Sequence, residues 1–531
     1  MRAGLAVAAL AAALALAACG NRAPPATGAA NAGEAGVLRR GNGPEPDSLD
    51  PQLARTDSAA NILRDAYEGL ASLDADARPV PGAAAEWQVS DDGRRYTFKL
   101  RNDARWSNGE PLVAADFVAA WRRLVDPATG SQYADVLQPI VNAPAIIGHH
   151  AAPATLGVSA PDAHTLLVEL SAPTPYFPGL VAHWSTFPSW HGTAPAAPGS
   201  AVSNGAYAIA EWVVGSHVRL VKNPHYWNAA ATRIESVKFF HIADANVEYA
   251  RYRGGGLDST YVLPQQPLAR LQAAHGTQLH RGPQLAVYYY GFNLRRAPFQ
   301  GSVGLRQALA MSIDRERLVD SVTGLGELPA YAWIPPGIAN YDAQRFDWAA
   351  KPLAARIARA QQLYRAAGYG AQHPLKLELS YPSGPTHERI ALAVAAMWKS
   401  ALGVETELRG EEFKSLLQSI NRGEVELFSS SWVGDYNDPW TFAEVLKGDF
   451  GINLTHYQSA AYDAALASAA LAADDGARRA ALEHAEQTLL ADVPLLPLYF
   501  YVNKHLVAPR LTGWHDNVMN VVYSKDLALV Q

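Results

Sequence analysis

The stretch SWVGDYNDPW, Ser431 to Trp440, sets two aspartates among two tryptophans and a tyrosine. It follows GEVELF, an apolar run with strand character. Three chemistries are open to carboxylates so placed. Asp435 and Asp438 as a pair would be the acid and base of a glycosidase. Asp438, directly before Pro439, is a turn initiator. Asp435, leaving a core strand between rings, is a carboxylate waiting for a cation, because a desolvated charge has to be paired. Other chemical hardware is scarce. No G-x-S-x-G, G-x-x-x-x-G-K-[ST], H-E-x-x-H or G-x-G-x-x-G occurs. RGGGL, Arg253 to Leu257, lacks the Lys-Ser/Thr of a phosphate loop and reads as a turn. His149 and His150 read as a surface pair, and DADA at Asp74 lacks the spacing of a Ca²⁺ loop. Cys19 is the only cysteine, so disulfides, thiolate zinc sites and cysteine nucleophiles are excluded from the folded part. No catalytic residue, metal or cofactor is expected, and the residues point to binding.

The elements that must position Asp435 follow from periodicity. RRYTFKLR alternates Tyr96, Phe98 and Leu100 on one face and follows the turn DDG, so Trp87 to Leu100 is expected as a hairpin. Phe117, Trp121, Leu124 and Val125 then recur at helical spacing ahead of Pro127. Further helices are expected at Leu305–Val322, His387–Leu402 and Arg478–Ala491. Strands are expected at His217–Lys222, Ser236–Ile242, Ala286–Asn293, Leu375–Tyr381, Glu424–Trp432 and Leu495–Asn503. In VYYYGFN and LYFYVN, successive aromatics must point to opposite faces. A strand buried on both sides is the better reading of each alone, and a face lining a cleft is the alternative.

The chain has 531 residues, 49% of them hydrophobic, with a formal net charge of -6. That length predicts two or three domains, and the absence of a Lys/Arg-rich block argues against nucleic acid. No repeat of solenoid or propeller period occurs. Arg2 precedes an apolar run, Leu5 to Ala18, too short to span a bilayer and of signal-peptide form. LAAC, ending at Cys19, resembles the lipobox of bacterial lipoproteins, which implies cleavage before Cys19 and its acylation. Residues 19–36 are small and polar, a flexible tether.

From Val37 onward the chain resembles the periplasmic oligopeptide-binding proteins of ABC importers, the family 5 extracellular solute-binding proteins. The motifs that carry the likeness occur in order: RRGNGPEPDSLDP, RDAYEGL, YTFKLRNDARWSNGEPLVAADFVAAWRRLVDP, NGAYAIAEWVVGSHVRLVKNPHYW, VYYYGFNLRRAPF, LRQALAMSIDRERLV, SWVGDYNDPWTF and PLYFYVNKHLV. The resemblance implies an α/β fold, a two-lobe periplasmic-binding-protein clamshell with an extra subdomain. Lobe I would comprise 37–67, 193–285 and 503–531, the extra subdomain 68–192, and lobe II 286–502, with hinge crossings near 285 and 502.

It also implies site residues. Asp435 would pair with the peptide's α-ammonium, Trp432 would wall a side-chain pocket, and the Ser431 backbone would pair with the ligand main chain. Tyr133, Tyr261, Tyr289 and Tyr501 match tyrosines that touch ligand. His387 matches a histidine near the ligand's far end, and Phe413 stands where relatives carry tryptophan. Three departures matter. Arg55 replaces an acid, and Ser429 and Ile420 stand where the family has arginines that meet the ligand's carboxylate. The implied function is capture of short peptides and delivery to a membrane permease, without catalysis. The protein would be a monomer in the periplasm, lipid-anchored to a membrane. A receptor for murein peptides is an alternative, and a secreted hydrolase a more remote one.

Overall fold

The turn DDG joins the strands Ala84–Val89 and Arg95–Leu100 into the expected hairpin, with Trp87 opposite Phe98. Val158–Asp162 and Thr165–Glu169 complete a four-stranded antiparallel sheet. Tyr96, Phe98 and Leu100 are buried beneath the helix Ala114–Val125, which supplies Phe117, Trp121, Leu124 and Val125 as its periodicity predicts. A second four-stranded sheet is ordered Val37–Gly41, Ser236–Phe240, His217–Lys222, Tyr207–Val213. Both sheets feed one apolar core, since Tyr96, Phe98 and Trp121 cluster with Tyr207, Val218 and Phe239. The computed structural model describes residues 36–193, 201–448, 453–472 and 474–530. Cys19, the signal segment and the tether up to residue 35 lie outside the described residues.

The third sheet is the one that carries Asp435. Its six strands are ordered Leu328–Pro329, Leu495–Leu506, Leu279–Phe292, Leu427–Val433, Lys376–Pro382, Glu405–Glu411. The first pairings are antiparallel; Lys376–Pro382 runs parallel to both its neighbours. The VYYYGF run is buried on both faces. Tyr288, Tyr290 and Phe292 enter one core, and Val287 and Tyr289 the other. The buried reading of that strand is therefore the one the structure adopts. The two longest strands, Leu279–Phe292 and Leu495–Leu506, pair from Leu279↔Leu506 to Gly291↔Leu495. Their register breaks between Pro283 and Val287, and again after Tyr288.

Some boundaries differ from expectation, each for a local reason. The helix expected at Leu305–Val322 is broken into Val303–Met311, a short turn Arg315–Arg317 and a π-helical turn Leu318–Thr323. Asp314 causes the break by capping a new start, its carboxylate accepting the Arg317 N–H at 3.0 Å. The last long helix begins earlier than expected, at Asp475, because Asp474 accepts the Ala477 N–H at 2.8 Å. The strand before the aspartate loop starts at Leu427 rather than at Glu424.

Glu486, on the helix Asp475–Asp492, ties this part of the fold together. One carboxylate oxygen accepts the N–H groups of Trp333 and Ile334, at 2.9 and 2.8 Å. The other accepts the Tyr341 hydroxyl at 2.6 Å and the Gln344 N–H at 2.9 Å. Trp333, fixed this way, packs edge-on against Tyr289 and donates its indole N–H to the Phe442 carbonyl. Replacing Glu486 by Ala strands four buried donors. The expected loss is at least ~3 kcal/mol of stability, read as a shift of the urea midpoint, with Glu486→Gln, which keeps one acceptor, losing less.

Candidate ligand-binding site

The strand Leu427–Val433 delivers the SWVGDYNDPW loop, and glycine sets its path. The Gly434 N–H donates to the Leu285 carbonyl at 2.7 Å. A Cβ at Gly434 would lie 2.6 Å from the Leu285 side chain and 2.9 Å from Thr441, so only glycine allows this approach. Thr441 then organises the loop. Its hydroxyl accepts the Asp435 N–H at 3.2 Å, and its carbonyl accepts the Trp432 indole N–H at 2.8 Å.

The two aspartates of the loop part company. Asp438 is structural: it accepts the Trp440 N–H at 2.9 Å, as a turn initiator does, and pairs bidentately with Arg478 at 2.7 and 2.8 Å. That engagement removes it from any acid pair with Asp435. Among the described residues no hydrogen bond or ion pair reaches the Asp435 carboxylate. Its surface is open to solvent, yet protein crowds it on the remaining sides, and this desolvation alone pushes its carboxyl above the ordinary range. Nearby Glu444 is also without a cation. It accepts the Tyr436 hydroxyl at 3.1 Å and the Trp440 indole N–H at 2.8 Å, and burial pushes its carboxyl up to about 7.

Around this loop the predicted residues form two groups. Tyr133 and Tyr261 meet at the start of the helix Asp57–Ala66. The Tyr261 hydroxyl donates to Asp57 at 3.2 Å, and the Tyr133 ring lies 5.1 Å from Trp184. Burial raises the Tyr133 hydroxyl, with the charges of Asp57 and Asp435 adding to it and Arg64 opposing, so this group lies within electrostatic reach of Asp435. In the second group, Ser431 pairs with Tyr288, whose hydroxyl meets His387 Nδ1 at 3.0 Å. Burial lowers the His387 pKa, keeping the ring neutral at pH 7. Tyr501 is half-buried beside Tyr499, 5.2 Å between rings, with Ser431 near its hydroxyl.

Two predicted residues stand apart. Tyr289 is 4% exposed and packs into the core against Trp333. Phe413 is 60% exposed at the start of the helix Phe413–Asn421. Asp57, Trp184 and Arg64 were missed. Arg64 sits in the quoted RDAYEGL motif, but only the fold reveals that its guanidinium lies 5.0 Å over Trp184 beside the two tyrosines. Among the described residues there is no group of His, Cys, Asp and Glu that would hold a metal ion, and no helix long and apolar enough to cross a membrane.

Known proteins resemble this chain over nearly its whole length. The periplasmic murein peptide-binding protein MppA of Escherichia coli is 38% identical over 92% of this chain and 92% of its own. A probable deoxycholate-binding periplasmic protein, YgiS of Escherichia coli, is 37% identical over 92% and 93%. The periplasmic oligopeptide-binding protein OppA of Salmonella typhimurium is 36% identical over 93% of each. An unliganded open form of MppA superposes with a TM-score of 0.89 over 94% of this chain and 98% of that one. A second structure of the Escherichia coli MppA protein, at the same 38% identity, superposes at 0.73 over 93% and 98%. The description "Bacterial extracellular solute-binding proteins, family 5 Middle" matches residues 78–453, and with relatives this similar over this much of its length the chain belongs to the family 5 bacterial extracellular solute-binding proteins.

Proposed function

We propose that the protein captures short peptides in the periplasm and hands them to the permease of an ABC importer, with no covalent chemistry. The observation that carries this reading is Asp435, a crowded carboxylate without a cation in a cleft walled by tyrosines and Trp432. A peptide's α-ammonium is the missing partner, and the strand Leu427–Val433 leads straight to it. Ser431 and its neighbours offer main-chain pairing indifferent to ligand sequence, with Tyr133, Tyr261, Tyr501 and His387 as walls. Tyr289 and Phe413 join the site only if closure brings them to the ligand. The names of MppA and OppA, a murein-peptide and an oligopeptide binder, support the class. An anion such as deoxycholate would meet the Asp435 charge uncompensated, which disfavours it. A murein peptide has the same kind of amino terminus; mass spectrometry of ligand retained by protein from its native host separates the two.

In this reading residues 37–67, 193–285 and 503–531 form lobe I, 68–192 its extra subdomain and 286–502 lobe II. The paired strands Leu279–Phe292 and Leu495–Leu506 cross between lobes where their register breaks, which suits a hinge. Cys19 carries the lipid that holds a monomer at a membrane surface.

Cys19→Ala leaves the body folded and frees the protein from membranes, checked by fractionation and by the loss of diacylglycerol in intact-mass spectra. Addition of a peptide mixture lowers the radius of gyration in small-angle scattering; an unchanged radius removes the clamshell. Asp435→Asn weakens binding of a short peptide by about 10- to 1000-fold, at ~1.4 kcal/mol per decade, because a charge-assisted contact is worth roughly 1.5–3 kcal/mol and a stranded charge roughly 3–5 kcal/mol. N-acetylation of the peptide has a similar effect on the native protein and little on the mutant, since one contact is lost only once. Affinity of the native protein falls as pH drops through the raised Asp435 pKa, where the ammonium must expel a proton; the Asn variant lacks this dependence. Calorimetry on the four combinations of protein and peptide is the test, and additive losses would mean that Asp435 and the ammonium do not meet.

A further inference from the structure

We propose that the carboxylate end of the ligand is received by Arg281 and Arg389, at a cavity across the sheet from Asp435. The inference rests on the peptide reading above. The cavity holds about 690 Å³ and is walled by residues 265–269, by residues 319–329 and by the two arginines. Arg281 and 265–269 belong to the proposed lobe I, and the other walls to lobe II. A ligand group placed there therefore bridges the halves, which is the condition for driving closure.

The sheet connects this cavity to the aspartate loop. Leu328 and Pro329, on its wall, pair with Phe500 and Tyr499. Tyr499 pairs with Tyr288, and Tyr288 with Ser431, four residues before Asp435. Three strand spacings cover ~14 Å, about four residues of extended chain. His387, hydrogen-bonded to Tyr288, lies two residues before Arg389 on the same helix. One row of cross-strand partners thus runs from the ammonium anchor to the cavity.

Charge accounting favours an anion. Arg281 and Arg389 are exposed, and among the described residues neither guanidinium has a hydrogen bond or ion pair. The cavity's carboxylates are mostly occupied. Glu316 accepts the Tyr331 hydroxyl at 2.8 Å and lies 3.7 Å from Arg356. Glu327 accepts the Thr323 hydroxyl at 2.8 Å and the Leu325 N–H at 3.2 Å. Glu327 also lies within electrostatic reach of the Lys504 ammonium, which donates to the Leu325 carbonyl on the cavity wall. With Glu316 facing Arg356 and Glu327 facing Lys504, Asp320 is left as the one carboxylate to set against the two guanidinium groups. A guanidinium is suited to a terminal carboxylate by its fork of donors.

The test is calorimetry with tri-, tetra- and penta-alanine, each with a free and an amidated C-terminus. The proteins are the native chain, Arg281→Gln, Arg389→Gln and the double variant; both side chains are exposed, so the fold is kept. Amidation is expected to weaken tetra-alanine binding to the native protein about tenfold, a decade being ~1.4 kcal/mol. The double variant is expected to lose as much with the free peptide and to be nearly blind to amidation. An amidation loss undiminished in the double variant overturns the proposal. So does indifference of the native protein to amidation while N-acetylation still weakens binding, an outcome that leaves the peptide reading intact. If none of the free peptides binds, the peptide reading falls and takes this inference with it.

Discussion

The antiparallel pairing of Leu279–Phe292 with Leu495–Leu506 is the constraint on which the rest depends. Lys504 and His505 are hydrogen-bonded neighbours of Arg281 and His280 on one side of the register break, and Leu495 and Leu496 are neighbours of Gly291 and Tyr290 on the other. The same two strands have two surroundings: their near ends lie against the elements that hold Thr260 and Asp516, and their far ends form the middle of the six-stranded sheet. Between Pro283 and Val287 the ladder is interrupted, and Pro283 has no N–H to contribute. A two-strand crossing that lacks part of its ladder resists sliding of one half past the other, yet bends at modest cost.

On that frame the charged groups divide into those with partners and those without. Asp438 with Arg478, Asp258 with Arg39 and Arg510, and Glu486 with its four donors are all fully engaged. Such groups fix geometry. Among the described residues the Asp435 carboxylate has no hydrogen-bond or ion-pair partner. Desolvation by the surrounding protein raises its pKa.

Much of this was legible in the chain. His217–Lys222 falls on its predicted bounds, and the helical spacing of Phe117, Trp121 and Leu124 places them in the core. Period two established that Tyr288 and Tyr289 face opposite ways; it could not say that both ways are core, because the covering layers come from several segments that only the tertiary fold brings to the strand. The SWVGDYNDPW loop was legible as a pair of acids, and Asp438 as a turn former, but that Asp438 is consumed by Arg478 forty positions away is a tertiary fact. Arg64, Arg281 and Arg389 left no local signal, since an arginine's role depends on which carboxylates the fold brings to it. The break at Asp314 was hidden by an apolar period that continues across it.

The contact between Asn437 and the turn at Asp74 has a wider consequence. The Asn437 amide donates to the carbonyls of Asp76 and Ala77, and Tyr436 stacks on Tyr176 with ring centroids 4.8 Å apart. The four-stranded sheet of residues 84–169 shares its core with the neighbouring sheet, while the turn at 74–77 and Tyr176, which flank it in the chain, hold the loop adjacent to Asp435. It cannot be trimmed away as an independent module without opening that core. Variation in the turn at 74–77 would reposition the aspartate loop from outside the cleft. Ligand preference in this lineage can therefore drift through substitutions at sites that no ligand ever touches.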